Sequence, residues 1–324
     1  MGIGSGLGAQ IGFGVESNYG EFATPTRFYE FNNESLAPSV VNVSSRGLGR
    51  GRFQRTGRNK SVVTGAAGAI EFDLMTKGFG LLLKACLGGY ANTVVTGSER
   101  KALITPDAAG LAGQFLTCQV GKPSIDGTVN PFSFLGGKVT SWELKNTVDD
   151  KVVLVVNPDF KGLTTEEALA SPSYPAGAEI FSFSEYSATL SGDPIFIKGF
   201  SIKGDNGLAT SRRGLGNDKL EPLAAAEAMI TGQLDFEFES LVRLGQWIAG
   251  EEVDDLIITF TTPTTLSGGG PALFKATIPW LFFTGSAPTV GGPDIVQEPM
   301  QFKGLDDGTN PVITLEQRTL DTAA

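Results

Sequence analysis

The chain has 324 residues, no histidine, two cysteines and a formal net charge of −10. Without histidine, serine–histidine and cysteine–histidine catalysis are excluded, and the commonest metal ligand near neutral pH is missing; the acidic balance argues against a protein that grips phosphate backbones. With 41% hydrophobic residues, 43 glycines and 17 prolines, the composition predicts an ordered core of many short strands joined by turns.

The first residues, Met1-Gly2-Ile3-Gly4-Ser5-Gly6-Leu7-Gly8, lack both the spacing of a nucleotide-binding loop and the pattern of a secretory signal. Residues 1–8 are expected to form a flexible arm. Alternation at Ile11, Phe13 and Val15 predicts a strand, and a second is expected over residues 26–31. Residues 42–70 then contain no acid, and Arg46, Arg50, Arg52, Arg55, Arg58 and Lys60 stand there among glycines. A contact with an acidic protein surface is the favoured explanation, ahead of a solvated loop or a phosphate-binding patch. The expected acidic counterpart is Glu251, Glu252, Asp254 and Asp255, with Asp235, Glu237 and Glu239 nearby in sequence.

A strand at Ile70-Phe72-Leu74 follows. Next comes a helix capped by Thr76 that buries Phe79, Leu82, Leu83 and Cys86 and stops near Gly88. Strands at 115–120, around Trp142 and at 152–156 complete the unit. Cys86 and Cys118 sit in apolar contexts and are expected to be reduced core thiols. Thr164-Thr165-Glu166-Glu167 has the form of a capping box and predicts a short helix, broken by Pro172 and Pro175.

The same order then recurs. AQIGFGVE at 9–16 is echoed by AEIFSFSE at 178–185, and Arg46-Gly47-Leu48-Gly49 by Arg213-Gly214-Leu215-Gly216. Gly68–Asp73 matches Gly232–Glu237, and Phe160-Lys161-Gly162-Leu163 returns as Phe302-Lys303-Gly304-Leu305. Ordered matches of this kind indicate an internal duplication: repeat 1 over 9–163, a linker over 164–177, and repeat 2 over 178–324. The second helix is expected from Ser240 to Gly250, burying Leu241, Leu244, Trp247 and Ile248. Pro222–Glu227 is expected to be a helical turn, Pro279 to mark an edge or bulge, and the segment near 89–113 to be an insertion of repeat 1 alone. Asp306-Asp307-Gly308 and Gly204-Asp205-Asn206-Gly207 are expected to be turns rather than calcium loops. The sequence contains no P-loop, and no catalytic, cofactor or metal site is expected.

The predicted fold class is therefore mainly β: two tandem β-sandwich or half-barrel repeats, each with one packed helix. The runs GSGLGAQIGFGVESNYGEFATPTRFYEF, SRGLGRGR, TKGFGLLLKACLG, FSFLGGKVTSWEL and IKGFSIKGDNGL resemble the major tail tube proteins of long, non-contractile-tailed bacteriophages, most closely those infecting actinobacteria. That resemblance implies subunits whose sheets join across neighbours into a closed barrel, rings that stack head to tail, and a lumen that passes genomic DNA without specific binding. It also implies tape measure, terminator and distal tail proteins as partners. The expected location is the virion tail, after assembly in the host cytoplasm, with no membrane partner. Two repeats per chain lead to the expectation of three chains per ring, a pseudo-hexameric trimer, with loop 46–60 as the contact between rings. Rival classes are an outer-membrane porin and a two-domain β-sandwich that binds or hydrolyses glycans.

Overall fold

The computed structural model describes residues 4–47, 53, 55–216, 218–285 and 287–323. The first half contains β1 (Gln10–Val15), β2 (Arg27–Tyr29), β3 (Asn33–Glu34), β4 (Ala37–Ser44), β5 (Asn59–Ala67) and β6 (Ile70–Asp73), then α1 (Gly80–Leu87). It continues with β7 (Gly88–Thr96), β8 (Glu99–Pro106), β9 (Leu116–Pro123), β10 (Val129–Thr147), β11 (Val153–Phe160) and β12 (Gly162–Thr164). The second half contains β13 (Tyr186–Leu190), β14 (Asp193–Pro194), β15 (Gly199–Asp205), β16 (Met229–Glu237), α2 (Val242–Ala249), β17 (Glu252–Thr265), β18 (Pro271–Phe283), β19 (Gln297–Gly304) and β20 (Thr314–Thr319). The chain is mainly β, as its composition and alternation predict.

Antiparallel ladders run β6–β11–β10–β9–β1–β2 in the first half. In the second they run β16–β19–β18–β17–β13–β14. β12 lies against the first part of β10, and β20 against the first part of β18. Each helix follows the strand that opens its half's ladder, β6 or β16. The strand order is thus the same in both halves. Among the described residues no path of ladders returns to its start, so the sheet of one chain is open.

Central strand β10 changes partners partway. Residues 129–137 pair with β9, and 138–145 pair with β11. The register shifts between Phe134 and Gly137, where Gly136 adopts φ 67°. A Cβ on Gly137 would meet the Phe160 ring and the Leu116 carbonyl. This glycine bulge bends the strand from one sheet into the other.

Two further ladders sew the halves together. β15 pairs with the second part of β10, from Ser141↔Asp205 to Thr147↔Gly199. β8 pairs with β20, from Ile104↔Leu315 to Arg100↔Thr319. Glu316 on that second seam is reached by Lys101 at 3.0 Å and Lys275 at 3.3 Å. The segment expected to be a mere insertion of the first half is therefore the β7–β8 hairpin that holds the second. One continuous apolar core spans both halves, with a ring cluster of Phe13, Tyr29, Phe72 and Phe79 in one and of Phe181, Phe200, Phe260 and Phe274 in the other.

Several expectations are corrected. α1 starts at Gly80, after Phe79 in the cap position, rather than at Thr76; Thr76 instead accepts a hydrogen bond from the Glu179 N–H at 3.1 Å. Residues 164–170 are not helical. Thr164 closes β12, and the strap beyond it is held extended by glutamines: Gln119 donates to the Ala168 carbonyl at 3.0 Å and accepts from the Ala170 N–H at 2.8 Å. Pro222–Glu227 is likewise non-helical, drawn into a bridge between Leu208 and Ala224. Pro279 sits inside β18 with no register shift, but the β17 ladder skips it between Leu256↔Ile278 and Asp254↔Trp280, and Asp255 opposite turns to φ 54°. On its other side β20 reaches only to Thr277, while β19 begins at Leu281. Residues 6–8 form a 3-10 turn whose Gly8 N–H donates to the Ser5 carbonyl at 3.0 Å, and the Gly4 N–H donates to the Ile125 carbonyl; residues 1–3 of the expected flexible arm lie outside the described residues.

Candidate assembly surfaces

Catalytic geometry needs convergent groups, and among the described residues no group of three metal-ligating side chains comes together. Nor is any helix long and apolar enough to cross a membrane. The distinctive surfaces are a projecting hairpin, a half-covered helix, and a loop that does the opposite of the hairpin.

The basic loop is the tip of the β4–β5 hairpin. Val40↔Val63 and Ser44↔Asn59 are paired across it, yet β5 joins the main sheet only at Ala66 and Ala67. Every residue of β4 is exposed, including Val40 at 47%, Val41 at 49% and Val43 at 59%. Lone two-stranded ribbons are marginal in water, and exposed valines on one invite a cover. Arg46, Arg55, Arg58 and Lys60 are all exposed at or near the tip, whereas Arg50 and Arg52 lie outside the described residues.

Residues 206–228 connect β15 to β16, the position in the second half that β4–β5 occupies in the first. They fold back over the first half instead of projecting. Lys138, whose side chain is wholly buried, donates to the Glu221 carboxylate at 2.5 Å and to the Pro222 carbonyl at 3.1 Å. Lys219 reaches Asp159 and the Phe160 carbonyl, both at 2.8 Å. Asn206 donates to the carbonyls of Cys86, at the end of α1, and Val139 at 3.0 and 2.9 Å. Burial alone would raise the Glu221 carboxyl, but the Lys138 hydrogen bond and the Gly113 N–H hold it below its ordinary value. Asp159 goes the other way: burial raises it despite Lys219. These two buried lysines went unnoticed in the sequence, because Lys138 directly after a glycine pair and Lys219 beside Asp218 in a glycine-rich loop carry no local sign of burial.

The two helices differ sharply. α1 buries Leu81, Leu82, Leu83, Cys86 and Leu87. α2 has no fully buried residue, and the expected buried face is only half met: Leu244 and Trp247 are half-buried, with Trp247 packed against the core, whereas Leu241 is 69% and Ile248 74% exposed. The first half surrounds α1 with β7–β8, β10 and the 206–228 loop; the second half supplies α2 with no equivalent cover. Directly after α2 come Glu251, Glu252, Asp254 and Asp255, of which the first three are exposed. Among the described residues no ion pair engages these four, whereas Glu237 and Glu239 are engaged by Lys198 at 2.7 Å and Arg243 at 3.8 Å. Of the acids nominated from sequence, the structure therefore separates an occupied group on β16 from an available group behind α2.

Residues 6–304 match the family described as phage tail tube protein. No curated protein matches the chain.

Proposed function

The chain belongs to the phage tail tube protein family, and on that premise we propose that it is a structural subunit of the tail of a siphovirus-type phage, stacking into rings whose lumen conducts the genome. The single observation that carries the reading beyond family membership is the uncovered assembly surface: a projecting basic hairpin, a half-covered apolar helix and an acidic segment, all on one chain. A net charge of −10 suits a wall along which DNA slides without sticking.

The parallel strand order of the two halves supports an internal duplication, with units near 9–163 and 178–324. Each chain then contributes two tube units, and three chains make a ring of six. An open sheet within the chain supports closure across neighbours, since a closed circuit removes the strand edges that a free subunit leaves exposed. Head-to-tail stacking also requires two different complementary surfaces, one on each face of the ring. Tape measure, terminator and distal tail proteins would meet the ends of the tube, in a virion assembled in the host cytoplasm. The purified protein, concentrated and imaged by negative stain, should give hollow tubes of constant diameter. A strictly monomeric protein at every concentration and salt would contradict the proposal.

A further inference from the structure

The free hairpin and the half-covered helix occupy related positions, and the interior of the chain shows how such positions meet. In the second half the connection between β15 and β16 lies across the first half, at the C-terminal end of α1. Asn206 bonds the last turn of that helix, and Glu221 takes the buried Lys138 amine. In the first half the corresponding connection is the β4–β5 hairpin, which has no second half upstream of it to lie on. In the second half the corresponding surface is the C-terminal end of α2, where among the described residues Ile248, Ala249 and Gly250 stay exposed. One element lacks a seat, and one seat lacks an element.

We infer that the β4–β5 hairpin of one copy lies across the C-terminal end of α2 and the acidic segment 251–255 of a second copy, repeating between chains the contact that residues 206–228 make within one. Two independent features of the surfaces fit. Val41 and Val43 on the hairpin stem supply apolar area to face Ile248. Arg46, Arg58 and Lys60 stand at the tip, against Glu251, Glu252 and Asp254 beyond the helix, so the contact pairs opposite charges. The contact joins neighbouring halves around a ring. It rests on the tube reading only for the presence of a neighbouring copy.

The test uses the full chain. V41C and I248C variants are mixed and oxidised, with V41C mixed with V95C as the control for exposed thiols; the native Cys86 and Cys118 are buried. A disulfide-linked dimer should form in the first mixture and not in the control. In parallel, E251K/E252K/D254K and R46E/R58E/K60E should each abolish assembly, with folding verified by thermal melting, and the chain carrying both sets should assemble again. Wild-type tubes together with no V41C–I248C cross-link, or normal assembly of the lysine variant, overturn the inference and leave the tube reading standing. If the wild type forms no tubes, the tube reading fails, and cross-linking in whatever oligomer does form still decides the contact.

Discussion

Gly204 shows how much a single position decides. It pairs directly with Trp142 across the β10–β15 seam, and a Cβ there would penetrate the indole ring, which is 2% exposed. The seam closes because a tryptophan of one half faces a hydrogen atom of the other. Gly204→Ala should therefore destabilise the chain by about 1–3 kcal/mol through overpacking, read as a lower urea midpoint; an unchanged midpoint would contradict the packing described. Glu221 tests the latch of residues 206–228. A carboxyl held below its ordinary pKa favours the folded state above the ordinary carboxylate range and loses that advantage as pH falls through its folded value. The neutral Glu221→Gln should cost roughly 1–2 kcal/mol at neutral pH, reduced by the partial exposure of Glu221. The gap between wild type and variant should shrink on acidification, and a gap constant with pH would contradict the ion pair. Asp159 runs in the opposite sense, so the pH dependence must be read as this difference and not from wild type alone. None of this was legible in the sequence. Glycine against tryptophan and lysine against glutamate are long-range pairs between the two halves, and local pattern carries no record of which partner a residue meets.

Elements were legible where an apolar pattern meets the chain's own core and misleading where it does not. β6 follows its alternation and α1 buries the Phe79, Leu82, Leu83 and Cys86 face read from its spacing, whereas β1 and β9 are strands buried on both faces and Val15, read as an inward position of β1, is exposed. α2 has the same amphipathic spacing, but only Leu244 and Trp247 are half-covered while Leu241 and Ile248 stay exposed. The pattern correctly encodes an apolar stripe, and what differs is what covers it. The 164–167 capping box misled because a Ser/Thr-x-x-Glu spacing also suits a strand end; Thr164 accepts from the Glu166 N–H at 3.2 Å without a helix following. The helices supply a paired prediction. Leu82→Ala in α1 should cost about 2–5 kcal/mol, whereas Ile248→Ser in α2 should shift the stability of the isolated chain by less than about 0.5 kcal/mol. Assembly should respond to Ile248→Ser, measured as a higher critical concentration for tube formation. Equal losses of monomer stability from both would show that α2 belongs to the core after all.

At the scale of the whole molecule the order of elements was legible and their joining was not. The ordered matches between the halves point to two units, and the strand orders agree; nothing in those matches says that β10 continues into a seam with β15, or that the β7–β8 hairpin crosses to β20. Both seams follow from edges: a half with open strands lowers its free energy by pairing them, and the nearest partner is the other half. The same reasoning, continued outward, gives a chain that is open by itself and closed among neighbours, with interactions inside the chain serving as a template for those between chains. On the proposal that each chain provides two tube units, the count of chains per ring separates this account from its competitor, in which each ring has six chains and the second half decorates the outside. A cryo-electron microscopy reconstruction of assembled tubes measures that count directly. The account predicts three chains per layer, with both halves lining one continuous barrel around the lumen; six chains per layer, with the second half outside the barrel, would contradict it.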